Sequence, residues 1–89
     1  MQIKRRNIIR GLRKLGTISQ GGDHEKCSVT VDGLVIGTVP IPSDTDFNDK
    51  LIGFVAKPLG LSNRPFGEVC ACTKGADWYR EHLTEKGLL

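Results

Sequence analysis

The 89-residue sequence predicts an α+β domain: a helix, three antiparallel strands forming a sheet with the helices on one face, a second helix, and a C-terminal helical extension. Three observations carry that reading. Ile8, Ile9, Leu12 and Leu15 recur at the spacing of one helix face, and Phe47, Leu51, Phe54 and Val55 do the same further along. Between these segments Cys27, Val29 and Val31 alternate with Ser28 and Thr30, the period of a strand with one buried side. Asp32-Gly33 then supplies a two-residue turn whose positions both tolerate positive φ, the signature of a tight hairpin. A chain of this length buries only about 60–65 % of its unfolded surface, so it holds one small core.

In order along the chain, the first helix spans residues 3–15 and ends at Gly16, read as a left-handed C′ residue. Gly11 costs this helix roughly 1 kcal/mol relative to alanine, which marks a close approach of another backbone. Residues 17–20 form a short strand leading into Gly21-Gly22, and residues 26–31 form the next. The returning strand, 34–39, sets Leu34 and Ile36 opposite Val31 and Val29, all on the buried face. Pro40 and Pro42 lack a backbone donor and place this strand at a sheet edge. Ser43-Asp44-Thr45-Asp46 clusters N-cap formers, so the second helix starts at 45 or 46 and runs to Lys57. Pro58 and Gly60 terminate it. Residues 62–75 read as irregular, with a short added strand at 68–72. A last helix covers 76–86, with Trp78, Tyr79, His82 and Leu83 on one side as a packing anchor, and ends at Gly87.

Charge is distributed unevenly. Six of the 13 basic residues fall within the first 14 positions: Lys4, Arg5, Arg6, Arg10, Arg13 and Lys14. No acid precedes Asp23, and the rest of the chain carries seven basic against ten acidic residues. A cationic helix on a mildly acidic body points to an anionic partner. The apolar stripe of this helix is narrow and lacks Trp or Phe, so it reads as core-facing, and nucleic acid fits better than a membrane surface. No run of about 18 apolar residues is present, so no membrane helix is expected. Three cysteines, Cys27, Cys70 and Cys72, do not make a disulfide scaffold and suit a reduced, cytoplasmic protein. Cys70-Ala71-Cys72 has one intervening residue where structural zinc pairs use two to four, so no metal site is expected with Cys27 or His82, and no cofactor.

His24 is the candidate for chemistry. Histidine exchanges a proton near neutral pH, and Gly21 and Gly22 before it let a backbone come close to a phosphate; the other reading of a lone loop histidine is an ordinary surface residue. Lys26 lies close in sequence and would stabilise charge on a reacting phosphate. Asp23 and Glu25 flank the histidine. No aromatic platform for stacking bases accompanies the cations, so binding through phosphates without base selection is expected.

Gly22-Asp23-His24, Thr38-Val39-Pro40 and Leu59-Gly60-Leu61-Ser62, in this order after a leading helix, resemble the motifs of the HicA toxin family of type II toxin–antitoxin systems. The resemblance covers residues 3–62. It implies a double-stranded-RNA-binding-domain-like α-β-β-β-α fold over 1–62, with 63–89 as an added C-terminal segment ending in a helix. It also implies an mRNA interferase, a metal-independent endoribonuclease with His24 as general acid/base. Lys4, Arg5, Arg6, Arg10, Arg13, Lys14 and Lys26 would hold the RNA. The implied partners are mRNA and a cognate HicB-like antitoxin. Asp23 stands where the family has serine. The alternative on the same fold is a non-catalytic RNA-binding or adaptor module.

Overall fold

The computed structural model describes residues 2–21 and 24–89; the side chains of Gln20 and His24 lie outside that description. The order of elements is β1 (Ile3–Lys4), α1 (Arg5–Leu15), β2 (Thr17–Gly21), β3 (His24–Val31), β4 (Leu34–Ile41), β5 (Asp46–Phe47), α2 (Asp49–Ala56), a 3-10 turn (Lys57–Leu59), α3 (Asn63–Cys70) and α4 (Ala76–Glu85). The fold is α+β, with β2-β3-β4 as a three-stranded antiparallel sheet.

The hairpin forms as its turn dictates: Asp32 and Gly33 both take positive φ, 53° and 81°. Cys27 pairs with Val39, and both are buried beside Val29 and Ile41. Helices cover this face. The other face presents Lys26, Thr30, Thr38 and Pro40 to solvent. Pro40 sits in β4, an edge strand, where its missing donor is tolerated.

Leu34 does face Val31 in register, but Ile36 does not face Val29. Val29 opposes Gly37 and Thr30 opposes Val35, so Ile36 is the extra residue of a β-bulge. The apolar set of β4 is displaced accordingly. Val39 and Ile41 are buried, whereas Leu34 at the hairpin tip is 50 % exposed.

Three further boundaries differ from expectation, each for a local reason. Ile3 and Lys4 are extended and pair with Phe47 and Asp46, so α1 begins at Arg5 and α2 only at Asp49. Asn48 caps α2, its side-chain oxygen accepting from Leu51 N at 3.0 Å. Ile52, Val55 and Ala56 then face inward, and Phe54, on the opposite side, is exposed. Gly16 ends α1 in an extended rather than left-handed conformation, and a Cβ there would run into Ser28 O of β3.

Residues 63–70 are helical, not irregular, and no strand forms at 68–72. Phe66, Val69 and Cys70, at helical spacing, are its buried residues, while Pro65 falls in the first turn, where a proline costs no hydrogen bond. α3 lies against α1 so closely that a Cβ on Gly11 would sit 2.8 Å from Cys70 Sγ. α4 runs almost as expected, with Tyr79 and Leu83 buried and the Tyr79 hydroxyl donating to Leu59 O at 2.7 Å. One core therefore joins residues from both sides of position 62: Ile8, Leu12, Val29 and Ile52 with Phe66, Val69, Tyr79 and Leu83.

Candidate nucleic-acid interface

The cations of the first helix divide by the face on which helical geometry places them. Ile8, Gly11, Leu12 and Leu15 point into the core, so Arg6, Arg10 and Arg13, at i, i+4 and i+7, share the opposite side. Arg6 and Arg13 are exposed and have no partner among the described residues. Arg10 begins on this outer side and bends toward α3, where it donates to Cys70 O at 2.6 Å. Lys14 donates to Val69 O at 3.2 Å. Together they cap the C-terminal carbonyls of α3 and complement the negative end of its dipole.

Arg5 is also committed internally. Its guanidinium meets Glu25 Oε1 at 2.9 Å and donates through Nε to Pro42 O at 3.1 Å. The start of α1 is thereby tied to β3 one residue after His24. Lys4 lies 3.9 Å from Asp46, but both side chains are more than half exposed and the pair contributes little. Lys26 is exposed on the open face of the sheet, away from the helices.

His24 opens β3, its backbone paired with Gly21 at the last rung of the β2–β3 ladder. Gly22, Asp23 and the His24 side chain lie outside the described residues. Among the seven cations proposed from sequence, Arg6, Arg13, Lys4 and Lys26 are thus turned to solvent, while Arg5, Arg10 and Lys14 hold elements together.

The cysteines differ sharply. Burial raises the Cys27 thiol and pushes Cys70 up to about 12. Cys72 is exposed, takes φ 66°, and is held below the usual thiol value chiefly by a hydrogen bond from Lys14, with Arg10 adding to the effect. Sequence reading missed this cysteine, because Lys14 lies far from it along the chain. Among the described residues no group of three or more His, Cys, Asp or Glu side chains gathers as metal ligands would. His82 instead contacts Gly60 O at 3.0 Å and stacks on Trp78 with centroids 4.9 Å apart, while Lys74 Nζ sits 4.7 Å from the Trp78 ring. This end of α4 is a packing anchor. No helix is long and apolar enough to cross a membrane among the described residues. Comparison with protein-family models, with curated proteins and with solved structures finds no match for this chain.

Proposed function

We propose that the chain is a HicA-like toxin that binds RNA along the outer face of α1 and cuts it at His24 without a metal ion. The observation that most supports this reading is the Arg5–Glu25 pair at 2.9 Å. It fastens the cationic helix to the strand that His24 opens, and it occupies a carboxylate that would otherwise repel phosphate next to the histidine. Arg6 and Arg13, uncommitted elsewhere, would grip successive phosphates and deliver the chain to that point. His24 would take the proton of a ribose 2′-hydroxyl as that oxygen attacks the adjacent phosphorus. The bond to the 5′-oxygen then breaks, and the departing oxygen receives a proton, leaving a 2′,3′-cyclic phosphate and a 5′-hydroxyl. Lys26 would offset charge on the pentacovalent phosphate where the RNA passes from α1 onto the open face of the sheet. A HicB-like antitoxin would restrain the activity by covering this surface.

The test is expression of wild type and of His24→Ala, reading growth and intact mRNA, with cleavage of purified RNA in excess EDTA. Wild type should arrest growth and cut RNA; His24→Ala should do neither while still retaining RNA. Equal RNA retention without cleavage by either protein would instead identify the non-catalytic module on the same fold.

A further inference from the structure

The last helix carries a face that complements the first. Asp77, Glu81 and Glu85 recur at i, i+4 and i+8 on α4; all three are exposed and none has a partner among the described residues. With Arg80 and Thr84 they line a shallow groove of about 740 Å³. Arg80 is already committed to Asp32 at 2.8 Å, so the groove keeps its negative character. The stripe from Asp77 to Glu85 spans about 12 Å, and that from Arg6 to Arg13 about 10.5 Å, at 1.5 Å per residue. Both stripes face solvent, so neither reaches the other within one chain.

We propose that the outer face of α1 docks a second copy of this chain through the acidic groove of α4, and that this contact competes with RNA for Arg6 and Arg13. Charge complementarity between two unpartnered helix faces of similar length selects the occupant: each copy presents both halves of the contact. Exposed ion pairs are individually weak, so the contact is reversible and acts at low ionic strength or high concentration. The competition rests on the RNA reading given above; the self-docking does not.

Sedimentation equilibrium of the full chain at about 10 mM and about 1 M salt, where the screening length falls from about 30 to about 3 Å, reads the contact directly. At low salt the average mass should climb above the monomer's 9.8 kDa as concentration rises, and high salt should restore the monomer. Glu81→Lys with Glu85→Lys, and separately Arg6→Glu with Arg13→Glu, should each stay monomeric at low salt. These positions are exposed, so both variants should melt like wild type. Mixed in equal amounts, the two variants should associate again, because each now complements the other. A monomeric wild type at low salt, unchanged association in either variant, or no recovery on mixing would overturn the proposal. In a parallel titration, added RNA should dissolve the low-salt association of the wild type, because both compete for Arg6 and Arg13. If no variant binds RNA, the RNA reading fails while the mixing result still decides the docking.

Discussion

The two sides of α1 show what a cation does when it has, or lacks, a carbonyl to reach. Toward α3, Arg10 and Lys14 meet the C-terminal carbonyls of Cys70 and Val69 and are drawn into the architecture. On the outer side, Arg6 and Arg13 have no such partner among the described residues and remain available to a ligand. The same residue types, a turn apart, therefore divide between holding the fold and meeting a ligand. Position relative to α3 makes the distinction, not the helix itself.

The largest effect should come from beneath both sides. Leu12 is fully buried, so Leu12→Ala should lower unfolding free energy by about 2–5 kcal/mol in urea titration. Gly11→Val should cost about 1–3 kcal/mol, because the new side chain meets Cys70 Sγ and Cys70 Cα, 2.8 and 3.1 Å from its Cβ. Arg10→Ala with Lys14→Ala should remove about 1–2 kcal/mol, since both hydrogen bonds are partly exposed. The same change should slow alkylation of Cys72, which in wild type should take up one iodoacetamide at neutral pH before Cys27 or Cys70 does. Arg6→Ala with Arg13→Ala should shift stability by less than about 0.5 kcal/mol while weakening RNA retention and flattening its salt dependence. Equal stability losses in the two arginine-containing pairs would erase the contrast.

Alkaline titration probes the core that both sides share. Burial pushes the Tyr79 hydroxyl and the Cys70 thiol each up to about 12, from ordinary values of 10.0 and 9.0. Protons are then held more tightly by the folded state than by the unfolded one. Stability from these groups is complete below the unfolded values and is lost as pH rises from about 9 to about 12. Thermal melts across that range should fall, and Tyr79→Phe should flatten the upper part of the decline.

Elements with an unbroken period were readable from the sequence. The stripe Ile8–Leu12–Leu15, the Asp32-Gly33 turn and the Tyr79–Leu83 pair each set a local structure that packing then used. α3 was hidden because Pro65 and Gly67 look like breaks, though the first falls in a helical turn that tolerates it. The bulge at Ile36 has no local signature, and it shifts the buried set of β4 to Val39 and Ile41. Site residues were legible only as a list of cations. Their sorting depends on partners 20 to 60 positions away, which no periodicity records.

That separation also governs the order in which a growing chain can settle. Arg10 finds Cys70 O only after 60 further residues have been added. At roughly 5–20 residues per second this takes about 3–12 s of synthesis. Until then Arg10 and Lys14 lack these carbonyl partners beside Arg6 and Arg13. The carbonyls that take up Arg10 and Lys14 are thus among the later parts of the chain to be made.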